Sequence, residues 1–173
     1  MMLSMHPRCL TSLMGHRLTQ TGWWLMGKKV PMRTCTRKLE FDAAHRVRLH
    51  ESKCRNLHGH RYVAEVTAAA RTLDDLGRVI DFSVLKGIVG EWIDAHWDHG
   101  VILNIEDEAL IDFVEVSDWQ HYVMEGNPTA EHMAEYLFNK ANSLLSEAGT
   151  KVVVTHIRLY ETPNCWADYG GVK

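Results

Sequence analysis

Apolar and polar residues alternate through CTRKLEFDAAHRV, where Leu39, Phe41 and Ala43 fall on one parity. A period of two places them on one face of a β-strand, and His45 shares that face. A second strand is predicted over HGHRYVAEVTAAA, with His58, His60, Tyr62, Ala64 and Val66 on one side. The connection 46–57 suits an antiparallel pair with an ordered loop. RTLDDLGRV carries Asp-Asp ahead of Gly77, which is turn chemistry. The spacing then becomes helical. Asp81 is a candidate cap, and Leu85, Ile88, Val89, Trp92, Ile93 and His96 form a stripe. Residues 105–126 are acidic and irregular, with Asp107, Glu108, Asp112, Glu115 and Asp118, and are expected to be a long connection. Pro128 and Thr129 open a second helix whose apolar side is Met133, Leu137, Ala141, Leu144 and Leu145, with Gly149 as its stop. KVVVTHIRLYE reads as a long strand, followed by a short terminal one. This order predicts an α+β fold, an antiparallel sheet with two helices on one face.

Composition narrows the classes. At 173 residues, 46% hydrophobic and 24% charged, the chain suits one soluble domain with its own core. A net charge of -3 leaves no footprint for nucleic acid. No apolar run of 18 residues is present, so no membrane partner is expected either. Cys9, Cys35, Cys54 and Cys165 are scattered without a CxxC pair. That fits free thiols in a reducing cytoplasm better than a disulfide framework. Residues 1–31 stand apart. They hold Arg8, Arg17, Lys28 and Lys29 but none of the 22 acidic residues, and they lack both steady periodicity and the apolar centre of a secretory signal. They read as a dispensable, poorly ordered N-terminal extension. A weak targeting peptide, or sequence upstream of an internal start at Met26 or Met32, are the other readings. Residues 32–173 are then the single folded domain.

Candidate chemistry gathers around CRNLHGHRY. His58 and His60 project from one face of one strand, and His45 ends the neighbouring strand on matching parity. Three neutral imidazoles leave one position of a tetrahedral zinc ion open, the pattern of a catalytic site. The plain alternative is a polar strand face. Cys54 is either a fourth ligand, a base whose thiolate a nearby cation favours, or a small buried hydrophobe. Asp98-His99 is either an oriented acid–base pair or a helix-end cap. Glu161 is either a two-point acceptor for a planar heterocycle or a strand-end charge.

In the order FDAAHR, CRNLHGH, IDFSVLK, Asp98-His99, NPTAEHMAEYLF and YETP, over about residues 33–170, the chain resembles the 6-pyruvoyl-tetrahydropterin synthase family. The three residues between Cys54 and HGH are similar to its carboxy-forming branch, the 6-carboxytetrahydropterin synthases of the queuosine pathway; pyruvoyl-forming animal members have a longer spacer. The resemblance implies the tunnelling fold (T-fold), β-β-α-α-β-β subunits closing into an oligomeric barrel, commonly a homohexamer of two stacked trimers. It implies zinc on His45, His58 and His60, and Cys54 as general base with Asp98 and His99 completing a relay. It implies Glu161 as the anchor of the pterin ring, with Thr129 nearby. The implied reaction converts 7,8-dihydroneopterin triphosphate to 6-carboxy-5,6,7,8-tetrahydropterin, acetaldehyde and triphosphate. Alternatives are a pyruvoyl-forming or folate-pathway aldolase member of the same fold, and a catalytically silent zinc- or pterin-binding protein. One departure is that DHGVILN is one residue longer than the family's frequent DHxxLN. Arg46, Arg48, Lys53, Arg55 and Arg61 surround the motif and are candidates for holding the triphosphate, or simply a solvated charged loop.

Overall fold

Strand β3 (Arg33–His45) buries Leu39, Phe41, Ala43 and His45 at alternate positions, as the period-two pattern predicts. The computed structural model describes residues 24–25, 28–29 and 32–171. Before β3 it contains a small antiparallel pair, β1 (Trp24–Leu25) with β2 (Lys28–Lys29). The rest of the N-terminal extension, and with it the expectation of poor order, lies outside the described residues.

β3 pairs antiparallel with β4 (His58–Ala70) in a register that sets Phe41 against Tyr62, Ala43 against His60 and His45 against His58. The two parity arguments thus meet on one face. After the turn, Asp81 caps α1 (Phe82–Leu85) by accepting from Ser83 N at 2.8 Å. The predicted single helix runs on as a π-helical turn, Lys86–Gly90, into α2 (Glu91–His96). Gly90 lies where the helix comes close to β3; a Cβ there would sit 3.3 Å from Leu39 Cδ2. Trp97, fully buried, packs on Phe41 at 5.7 Å between ring centroids and so fixes the start of the Asp98-His99 segment.

The region 101–126 corrects the expectation of an antiparallel sheet with a long irregular connection. It holds strand β5 (Val101–Asn104), helix α3 (Glu108–Val116) and strand β6 (His121–Met124). β5 runs parallel to β3, and β6 parallel to β5. Helix α4 (Ala130–Glu147) then leads to β7 (Val153–Thr162) and β8 (Cys165–Gly170). The result is one mixed six-stranded sheet in the order β6-β5-β3-β4-β7-β8, antiparallel only from β3 to β8.

The main core lies between one sheet face and α1, α2 and α4. Phe41, Tyr62, Ile102 and Ile157 meet Leu85, Ile93, Met133 and Leu137 there. Full burial of a large side chain of this kind contributes about 1.5–3 kcal/mol. Contrary to the two-helix expectation, α3 is a third helix. Its Leu110, Ile111 and Val114 pack with Ala44, Val101 and Leu103, the residues out of phase with Ala43 and Ile102. That places α3 over the opposite sheet face.

Candidate metal centre

The β3–β4 register delivers His45 and His58 side by side, and His60 two residues further on the same face. Their rings stand 4.6 Å (His45–His58), 4.9 Å (His58–His60) and 5.3 Å (His45–His60) apart by centroid. One ring nitrogen from each lies within 4.8 Å of the others. Gly59 permits this crowding, since a Cβ there would press on the Ala43 carbonyl oxygen at 3.1 Å.

Backbone carbonyls set the outward nitrogens. His45 Nδ1 donates to Pro128 O and His58 Nδ1 to Asn56 O, each at 2.7 Å. Each bond fixes its proton on Nδ1 and leaves Nε2 a bare lone pair. His45 Nε2 and His60 Nε2 are buried without a hydrogen-bond partner. Burial, chiefly, pushes both imidazoles below the usual histidine range, so they are neutral at neutral pH. Glu161 Oε1 stands 3.4 Å from His45 Nε2 and 3.9 Å from His60 Nε2. A cation held between these buried, unpartnered nitrogens and the carboxylate would satisfy them. The donor set fits a metal ion that accepts imidazole nitrogen, with Glu161 on its rim.

Tyr62 forms the floor. It is fully buried, stacked on Phe41 at 5.1 Å and edge-on to His45 at 5.9 Å and His60 at 5.7 Å. Its hydroxyl has no partner among the described residues. Burial pushes that hydroxyl well above the usual phenol range, and the charges of Glu161 and Cys54 push the same way. Cys54 is a free, half-buried thiol on a 3-10 turn, Lys53–Arg55, tied to the end of β3 by Val47 N donating to Cys54 O at 2.8 Å. Its sulfur is not among the ligand atoms that converge with the three histidines.

Residues 34–172 match the family described as 6-pyruvoyl tetrahydropterin synthase. The chain belongs to that family. It is 44% identical over 135 residues, 78% of this chain and 97% of the relative, to the 6-carboxy-5,6,7,8-tetrahydropterin synthase of Rickettsia bellii. It is 34% identical over 128 residues to the protein of that name from Aquifex aeolicus, covering 68% of this chain and 76% of the relative. The solved 6-pyruvoyl tetrahydropterin synthase of Caenorhabditis elegans superposes with a TM-score of 0.59 at 27% identity, over 83% of this chain and 98% of that one.

Measured against the expectations for a member of this family, the three histidines, Glu161 and Cys54 gather at one end of β3, β4 and β7. Glu161 reaches the histidines of its own chain. Thr129 is close in sequence to the Pro128 carbonyl that holds His45, but its hydroxyl caps α4 by accepting from His132 N at 3.4 Å. Asp98 and His99 go elsewhere. Asp98 accepts from Asp42 N and from His99 Nδ1, both at 2.8 Å, and His99 N donates to Asp42 O at 2.6 Å. Asp42 is out of phase with Ala43 and His45, so this cluster occupies the other sheet face. The pair also closes the end of α2, since Asp98 N donates to Ile93 O at 3.0 Å and His99 takes a left-handed φ of 57°, while the Asp98 carboxylate bonds a strand amide and orients His99. Two supports escaped the sequence. Asn127 clamps Arg48 through both its backbone groups, at 2.8 and 2.9 Å, and the carbonyls of Asn56 and Pro128 orient the ligands. Only the turn-forming Asn-Pro pair hinted at the latter.

Proposed function

We propose that this chain is a zinc-dependent 6-carboxy-5,6,7,8-tetrahydropterin synthase. The reaction is the lyase conversion of 7,8-dihydroneopterin triphosphate to 6-carboxy-5,6,7,8-tetrahydropterin, acetaldehyde and triphosphate, a step of queuosine biosynthesis. One observation carries the reading: bare, buried imidazole nitrogens converge beside the Glu161 carboxylate. The 44% identity over 97% of a relative of that name supports the same reading. Imidazole donors favour zinc over magnesium or calcium. His45, His58 and His60 would hold it, and a three-histidine set leaves a position open for substrate oxygens. When bound, the ion supplies Lewis acidity to those oxygens and so acidifies neighbouring protons.

The protein's own groups do the rest. The Glu161 carboxylate accepts two N–H donors of the pterin ring and fixes its orientation. Cys54 takes a proton from the substrate side chain, and His99, oriented by Asp98, returns one. Because Asp98 and His99 lie on the other sheet face, they meet a Cys54 only across a contact between chains. We therefore place the reaction in a barrel-like homohexamer, which would also cover the free edges of β6 and β8. Residues 1–31 lie outside the catalytic domain in this reading. No helix of the described residues is long and apolar enough to cross a membrane, and the free thiols Cys35, Cys54 and Cys165 fit the cytoplasm.

The test is an incubation of the zinc-loaded protein with 7,8-dihydroneopterin triphosphate, with products identified by mass. Acetaldehyde and the 6-carboxy product are expected. A 6-pyruvoyl product or glycolaldehyde would move the chain to another branch of the fold, and no turnover would leave a silent binding protein.

A further inference from the structure

Five cations surround the histidine motif, and the structure divides them. Arg46 grips buried Asp107 through two nitrogens. Arg48 meets Glu106 at 3.0 Å. Arg61 makes a two-point bond to Asp42 at 2.9 and 3.1 Å, on the sheet face away from the histidines. Turning Arg46 toward a ligand would strand the Asp107 carboxylate in the interior, which is strongly unfavourable. Lys53 and Arg55 differ. Both are exposed, and neither has an ion-pair or hydrogen-bonding side-chain partner among the described residues. Glu51, the nearest acid in sequence, is paired with His50 at 3.9 Å.

The two free cations flank Cys54 on a turn whose backbone is pinned. Val47 N holds Cys54 O at 2.8 Å, Asn56 N holds Lys53 O at 3.0 Å, and Asn56 O takes the His58 ring proton at 2.7 Å. The turn is therefore tied on one side to the strand of His45 and on the other to His58 itself. We propose that Lys53 and Arg55 form the subsite for the polyphosphate of the substrate. This rests on the function proposed above. A substrate whose side-chain oxygens face the histidines carries its triphosphate at the end of that same short side chain, so the anion must leave the pocket close to the ligands. Arg55 offers a planar fork to phosphate oxygens and Lys53 a mobile point charge. Neither has to break an existing ion pair.

The probe is inorganic triphosphate, titrated by calorimetry into the zinc-loaded full chain, with dihydroneopterin lacking phosphate as the control ligand. Lys53→Gln/Arg55→Gln should weaken inorganic triphosphate by roughly tenfold or more and raise KM for the triphosphate substrate. Binding of dihydroneopterin should stay unchanged. A charge-matched Lys86→Gln/Lys151→Gln variant should leave both affinities as in the parent. Inorganic triphosphate binding equally to the parent and to Lys53→Gln/Arg55→Gln, or not binding the parent at all, overturns the subsite. A parent that binds inorganic triphosphate through these residues but does not turn over dihydroneopterin triphosphate keeps the subsite and overturns the proposed function.

Discussion

His45, His58 and His60 on one sheet face, and Asp42, Asp98 and His99 on the other, each bring three ligand atoms within 4.8 Å of one another. By the proximity of their ligand atoms alone the two clusters are equivalent candidates for a cation. Their remaining bonds separate them. In the outer cluster both oxygens of Asp98 are in use, one on Asp42 N and one on His99 Nδ1, and both oxygens of Asp42 are on Arg61. Its carboxylates are engaged, and His99 is 76% exposed at its side chain. In the inner cluster His45 and His58 point their Nδ1 protons at backbone carbonyls, and the buried Nε2 atoms of His45 and His60 have nothing to bond. An unpaired buried acceptor is expensive. An ion would satisfy the inner cluster, whereas the outer cluster already has its oxygens hydrogen-bonded. What distinguishes a metal site is therefore the state of its lone pairs, not the proximity of its residues.

The comparison breaks most sharply under substitution of the ligands. His58→Ala/His60→Ala should abolish zinc binding and turnover, while Asp42→Asn should retain full zinc; metal analysis of both variants reads the result. Next in size is Cys54→Ala. It should keep its zinc but lose turnover by roughly 10²-fold or more, the scale of a lost general base. A rate within a few-fold of the parent in single-turnover assays would remove Cys54 from the chemistry.

Acid should act on the inner cluster of the metal-free chain. Burial holds His45 and His60 below the usual histidine range in the fold. The unfolded chain protonates these residues near about pH 6.5, before the folded chain does. The unfolded state therefore binds more protons as pH falls through that value. Stability that is present at neutral pH should drain away below it, read as a falling Tm of the metal-free protein. A flat Tm over that range would mean that these histidines are not held neutral. The smallest effect belongs to the outer face. Arg61→Gln breaks an exposed pair and should leave the denaturant midpoint close to the parent's, with zinc content untouched.

How much of this was legible in the sequence follows from which signals belong to side chains. Leu39 to His45 and His58 to Val66 declare their faces by parity alone, and that parity was enough to assemble the histidines. Asp81 and Thr129 declare their helices by capping. The region 101–126 hid its structure for two reasons. Val101–Asn104 is buried at every position, so it reads as a short apolar run without alternation. In α3 the acidic residues that face solvent masked the spacing of Leu110, Ile111 and Val114. Metal-ligand orientation was invisible because its acceptors, Pro128 O and Asn56 O, are backbone atoms that any residue carries. The pairing of Arg46, Arg48 and Arg61 was equally hidden, since Asp107 and Glu106 come to the motif from distant sequence, and Asp42 joins Arg61 only through the β3–β4 register.

The central claim is that three imidazoles hold the ion and that Cys54 stands beside it unbound. X-ray absorption at the zinc edge of the loaded parent protein addresses it directly. The account predicts nitrogen and oxygen neighbours only, at about 2.0–2.1 Å, with a spectrum unchanged in Cys54→Ala. A sulfur neighbour at about 2.3 Å that vanishes in Cys54→Ala, together with loss of the metal, would contradict it and make CRNLHGHRY a four-ligand closed site.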